Sequence, residues 1–122
     1  GVQTCALPIL TLLFGMIEQV VDDCILNHRY NFKMYEFLTD NKFTKHQVTE
    51  FINSSAAANV SQTVDDLDLY LEGGHPEVRE AYPEFSKPEA RKARNYLYSI
   101  LEDAWKYEID KGKRRRRRTV NK

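Results

Sequence analysis

The fold is decided by residues 86–110, which read SKPEARKARNYLYSILEDAWKYEID. Small and apolar residues recur in this stretch at spacings of 3 and 4, the period of one face of an α-helix. They are Ala90, Ala93, Leu97, Ile100, Ala104 and Tyr107. Ser86 and Glu89 form a capping box ahead of them, so a helix is predicted to begin at Lys87. The pattern predicts a long C-terminal helix whose alanines admit a second helix at close range.

An amphipathic pattern also occupies residues 16–38, beginning at Met16. It loosens across residues 27–31, where we expect a kink or a break into two helices. Thr44 and Gln47 then form a second capping box, which predicts another helix from Lys45.

Two further segments lie between these helices and the C-terminal one. Apolar spacing predicts a helix from about Val64 to Glu72, and Gly73-Gly74 provides its stop. Pro76 suits the first position of one short helical turn, because its missing N–H would have no partner there. No run alternates in the manner of a β-strand. We therefore predict an all-α protein, a small bundle of four to five helices with a long C-terminal helix and a disordered basic tail.

The first nine residues, GVQTCALPI, resemble the in-frame translation of a sequencing adapter. We interpret residues 1–9 as an adapter-derived artefact and expect natural protein to start at Met16 or in a truncated upstream region. The uncharged run from Cys5 to Ile17 is too short to span a bilayer. The domain organisation predicted is then residues 10–110 as one helical domain and residues 111–122 as the disordered tail.

Charge is divided unevenly along the chain. Residues 1–110 hold 10 Lys/Arg and 18 Asp/Glu, a net charge of −8, whereas residues 111–122 hold 8 Lys/Arg and no acid. Five consecutive arginines cannot share a core, because each guanidinium stays charged and needs its own acceptor. The tail is therefore either solvated or bound to a polyanion, and nucleic acid is the polyanion that we predict.

The predicted nucleic-acid-binding residues form two groups and one stacking candidate. The first group is Lys111, Lys113, Arg114, Arg115, Arg116, Arg117 and Arg118. The second, weaker group is Arg91, Lys92 and Arg94, near the start of the last helix. Tyr98 is the candidate for stacking on bases, since its helical position is polar, while Trp105 and Tyr107 flank the apolar stripe and are predicted to lie in the core or an interface.

Other chemistry is weakly represented. Residues 45–71 resemble a helix-turn-helix, but the predicted connection is long for a tight turn and Asp65, Asp66 and Asp68 would repel phosphate, so ordinary helix packing is favoured. Those acids lack the glycine and glutamate of a calcium loop, and the histidines lack zinc spacing. No catalytic motif is recognisable, and Cys24 is interpreted as a small buried hydrophobe in a reducing compartment.

These observations predict a non-enzymatic, nucleic-acid-associated accessory or regulatory protein without cofactor or metal. It would bind the phosphate backbone independently of sequence, in the cytoplasm or, in a eukaryote, the nucleus. The alternative is a protein-interaction adaptor or homodimer that docks through the stripe of residues 90–107, with no nucleic acid and no membrane involved.

Overall fold

The computed structural model describes residues 9–83 and 85–120, with side chains as far as Lys113. Over these residues the chain forms six α-helices and no strand, and their bounds are α1 (Ile9–Asn27), α2 (Met34–Asp40), α3 (Lys45–Ile52), α4 (Ser55–Glu72), α5 (Pro76–Ala81) and α6 (Lys87–Val120). The all-α bundle with a long C-terminal helix is confirmed, with one helix more than the range predicted. Of the adapter-like residues 1–9, residues 1–8 lie outside the described part of the chain and Ile9 is the first residue of α1.

Helix α6 is the centre of the bundle. Its predicted stripe is buried, together with Leu101, and it packs against α1, α2, α3 and most extensively against α4. Ala90, Ala93 and Ala104 are fully buried, so small side chains lie where the neighbouring helices come closest.

The N-terminal pattern differs from the prediction at its start. Helix α1 begins at Ile9, and Leu13 is fully buried in the core, so the amphipathic pattern does not begin at Met16. The predicted break is confirmed, because α1 ends at Asn27 and His28 adopts a left-handed φ of 53°. Left-handed residues end helices, since they cannot continue the right-handed turn.

The capping box of α3 is confirmed in both directions. The Thr44 hydroxyl accepts from the Gln47 amide at 3.1 Å, and the Gln47 side chain accepts from the Thr44 amide at 2.9 Å. Phe43 and Val48, which flank the box, are fully buried. Helix α3 therefore begins at Lys45 as predicted.

Helix α4 begins at Ser55, nine residues before the predicted start at Val64. The Ser54 hydroxyl accepts from the Ala57 amide at 3.3 Å and donates to the Phe51 carbonyl at 2.6 Å. Alanine favours the helix intrinsically, so residues 55–63 are helical although their apolar pattern is weak. The connection between α3 and α4 is consequently two residues, not the long one that we inferred.

The remaining boundaries follow the predicted signals with one exception. Helix α4 stops at Gly73, whose φ is 85°, and Pro76 opens α5. The Ser86 hydroxyl accepts from the Glu89 amide at 3.3 Å at the start of α6. The exception is the end of α6, which continues through Lys111 and Lys113 instead of ending near Asp110. The side chains of residues 114–120 lie outside the described part of the chain.

Tyrosine hydroxyls donate hydrogen bonds that join the first half of the chain to α6. Tyr107 donates to the Phe43 carbonyl at 2.7 Å, Tyr35 to Asp110 at 2.6 Å and Tyr30 to Glu89 at 2.7 Å. Cys24 is buried as predicted, and burial raises the pKa of its thiol to about 12. Within residues 9–83 and 85–120, no helix has the length and apolar character needed to cross a membrane.

Candidate nucleic-acid interface

The end of α6 and the start of α3 carry three lysines, of which Lys45 and Lys113 line one groove. Lys113 is exposed, and Lys111 holds its Nζ 5.5 Å from the Tyr107 ring centroid. Lys45 from α3 lies beside Gly112, where an added Cβ would be 3.4 Å from the lysine Cε. We call Lys45, Lys111 and Lys113, together with the adjoining run Arg114–Arg118, the basic end.

A shallow groove of about 250 Å³ separates α3 from this part of α6. Its lining comprises Lys45, Glu108, Ile109, Gly112 and Lys113. Glu108 is the one acid of the lining, and its carboxylate accepts a hydrogen bond from the Thr49 hydroxyl. The groove therefore pairs two ammonium groups with one carboxylate that is already bonded, which favours an anionic ligand.

Lys45 was not among the predicted site residues. It is placed by the Thr44 cap, which fixes where α3 begins, and by the bond between Thr49 and Glu108, which ties α3 to α6. Only the fold brings it to the basic end, since Lys45 and Lys111 are remote in sequence. The sequence signal that could have found it is its position at the first turn of a well-capped helix.

The second predicted group does not form one patch. Arg91 is exposed, whereas the Lys92 Nζ lies 5.3 Å from the Tyr30 ring centroid. The Arg94 Nε donates to the Asp68 carboxylate at 2.8 Å, which offsets its charge. Arg91 and Arg94 are three residues apart and share one side of α6, whereas Lys92 lies on the side that faces Tyr30, so the three cations do not form one surface.

Tyr98, Trp105 and Tyr107 differ in exposure. Tyr98 is half-buried, packs against the core, and its ring centroid lies 4.9 Å from the Arg94 guanidinium carbon. Trp105 is 39% exposed and meets the Tyr98 ring edge-on at 6.2 Å, so it does not belong to the core. Tyr107 is buried, as the core prediction requires. Trp105 is thus the more accessible ring for stacking.

The stripe proposed as a partner surface is occupied within the chain. Its members are buried by the neighbouring helices of the same molecule, with exposures of 0–4%. A partner that contacts α6 would therefore meet the opposite face, which carries Trp105 and Ile109.

Several polar groups elsewhere have structural partners. Asp66 accepts bonds from Gln62 at 3.1 Å and Tyr82 at 3.3 Å. Burial, followed by the bond to Glu89, raises the pKa of Tyr30 well above its ordinary range. Cys24 remains a protonated thiol at neutral pH, the unreactive form of cysteine. Within the described part of the chain, no three His, Cys, Asp or Glu side chains are grouped as metal ligands.

No family model, no curated protein and no solved structure matches this chain. The class is therefore defined by the fold alone: a small all-α bundle built around one long helix that leads into a basic end.

Proposed function

We propose that the protein is a non-enzymatic, nucleic-acid-associated accessory or regulatory protein whose basic end binds the phosphate backbone. The observation that carries the proposal is the continuation of α6 beyond the core, which places Lys113, followed in sequence by five arginines, along one groove with Lys45. A cation cluster on a helix anchored in a core loses little side-chain and backbone freedom when it binds phosphate.

The distribution of charge along the chain supports binding at the basic end. Residues 1–110 carry a net charge of −8, so a polyanion is repelled by the body and attracted at one end only. At the other end of α6 the predicted second contact is reduced mainly to Arg91, since Arg94 is paired with Asp68 and Lys92 lies over a tyrosine ring.

The test is fluorescence anisotropy with unrelated DNA and RNA oligomers over a salt series. If about five charges contact duplex phosphates, log affinity falls against log salt with a slope of roughly −4.5, because each contact contributes about −0.9. Deleting residues 114–122 should remove most of the affinity, and circular dichroism should show that the deletion leaves the fold intact.

A matched pair of single substitutions locates the binding. Lys45→Gln should weaken affinity and reduce the salt slope by about one contact. Lys87→Gln removes an equally exposed lysine from the other end of α6, about 39 Å from Lys113 at 1.5 Å per residue, and should change neither quantity. Salt-insensitive binding, or full affinity after the deletion, contradicts the proposal.

The second candidate function is a protein-interaction adaptor or homodimer, and the exposed Trp105 and Ile109 favour it. Sedimentation and copurification experiments distinguish the two candidate functions. An adaptor or dimer has a partner or a doubled mass that survives nuclease and high salt, whereas nucleic-acid association is lost under both treatments.

A further inference from the structure

The exposed face of α6 carries a line of four residues that ends at the basic end. Tyr98, Trp105, Ile109 and Lys113 follow one another at spacings of 7, 4 and 4, which place them on one side of a helix. Trp105 and Ile109 are 39% and 54% exposed, and Lys113 is also exposed. We call these four residues the outer face of α6.

Trp105 is held in place by a relay of contacts that starts on another helix. Asp68 of α4 fixes Arg94 at 2.8 Å, the Arg94 guanidinium lies 4.9 Å from the Tyr98 ring centroid, and Tyr98 supports Trp105 edge-on at an interplanar angle of 74°. Each contact restricts the next side chain, so the indole is ordered although it is exposed. An ordered, exposed aromatic ring loses little entropy when a ligand stacks on it.

We propose that the outer face of α6 makes the protein selective for single-stranded nucleic acid, with one base stacked on Trp105 and the following phosphates on Lys113 and the rest of the basic end. This inference rests on the proposed function and adds the form of nucleic acid. Trp105 and Lys113 are eight residues apart, about 12 Å along the helix. Bases of a duplex are already stacked on each other, whereas those of a single strand are free to stack on an indole.

The charges on either side of Trp105 determine which way the bound strand runs along α6. Glu102 is exposed one turn before Trp105 and repels phosphate, while Lys113 attracts it two turns after. The strand therefore leaves the indole towards the basic end and not towards Arg91.

A second copy of the chain fits this face less well. The outer face offers two exposed large apolar residues, Trp105 and Ile109, among the residues described. A standard protein interface needs about 20–30 residues on each side. One base, by contrast, needs a single ring beside a cation, which this face provides.

The chain has one tryptophan, so fluorescence excited at wavelengths that tyrosine does not absorb reports on Trp105 alone. Oligothymidylate should quench this emission in proportion to binding measured by anisotropy, and a duplex of equal length should bind without the same quenching. Trp105→Ala should weaken single-strand binding by about 5- to 150-fold, the range found for removing one stacking ring, and should leave duplex affinity unchanged. Trp105→Phe should restore part of the loss.

Leu26→Ala is the matched control, because Leu26 is an exposed apolar residue of α1 that lies outside both the outer face and the basic end. It should change single-strand affinity by less than a factor of two, and circular dichroism should show that all variants fold. Oligomer binding without quenching, or equal losses for single strand and duplex in Trp105→Ala, overturns this inference and leaves the proposed function standing. A change in sedimentation of Trp105→Ala without any change in oligomer affinity also overturns it, in favour of a protein interface. Absence of binding to every oligomer by the wild type overturns the proposed function itself.

Discussion

The same substitution, glycine to alanine, should have opposite effects at two positions of this fold. Gly15 lies exposed within α1, and Gly73 ends α4 at a φ of 85° and a ψ of 169°. An added Cβ meets no atom within 4 Å at either position, so steric contacts cannot distinguish them. The difference is therefore one of backbone conformation alone.

The magnitudes follow from that difference. In a helix interior, alanine is more stable than glycine by about 0.8–1 kcal/mol, so Gly15→Ala should stabilise the protein by about this amount. The backbone angles of Gly73 fall in a region that is essentially restricted to glycine and costs other residues about 1–3 kcal/mol. Alanine also reduces the conformational entropy of the unfolded chain, which offsets about 0.4–1 kcal/mol of this cost. Gly73→Ala should therefore lower the free energy of unfolding by about 1–2 kcal/mol.

Urea unfolding followed by far-ultraviolet circular dichroism measures both variants. The free energies of unfolding should differ by about 2–3 kcal/mol, which separates the two midpoints by about 1–2 M at the m-values usual for small proteins. Midpoints that move in the same direction would refute the reasoning, because they would show that α1 or the end of α4 has a different backbone from the one described.

Three further predictions concern the core and its caps. Ser54→Ala should cost about 1–2 kcal/mol in urea unfolding, because one hydroxyl both caps α4 and bonds to α3, while Ser61→Ala on the exposed side of α4 should cost nothing. Tyr107→Phe should cost about 1 kcal/mol, since it removes the buried donor to the Phe43 carbonyl, and a thermal midpoint equal to that of the wild type would contradict this. The raised pKa of Cys24 means that the folded state favours the neutral thiol. The contribution of this thiol to the free energy of unfolding is therefore complete below pH 9.0 and is lost as the pH rises towards 12. The urea midpoint of the wild type should therefore decrease as the pH is raised from 9.0 to 10.0, and that of Cys24→Ala should decrease less. An equal decrease in both proteins would show that burial of the Cys24 thiol does not cause the pH dependence.

The features predicted well from the sequence are those with local causes. The caps at Thr44 and Ser86, the stop at Gly73 and the start at Pro76 each depend on bonds or backbone angles within four residues. The first half of α4 was missed because its alanines and polar residues carry little hydrophobic pattern. The sequence signal for this half was Ser54, a residue type that caps helices. The prediction relied on apolar spacing instead, and that spacing becomes clear only from Val64.

The candidate site was predicted less completely, because its geometry depends on contacts between distant residues. Asp68 and Arg94 lie 26 residues apart, and their pairing removes one predicted contact from the binding surface. Trp105 lies at the edge of the apolar stripe, so its exposure depends on whether another helix covers that edge. Lys45 reaches the basic end only through the packing of α3 on α6.

The central position of α6 has a consequence for how the protein is made. Seven of the 22 buried apolar residues described belong to α6, and α1 to α4 all pack against it. Translation proceeds from the N-terminus at about 5–20 residues per second, so the 34 residues of α6 follow the other helices by about 2–7 s. During this interval α1 to α4 lack the helix against which all four of them pack. Folding is therefore completed after synthesis of α6, and a nascent chain that stops before Ser86 exposes the apolar faces on which aggregation and chaperone capture depend.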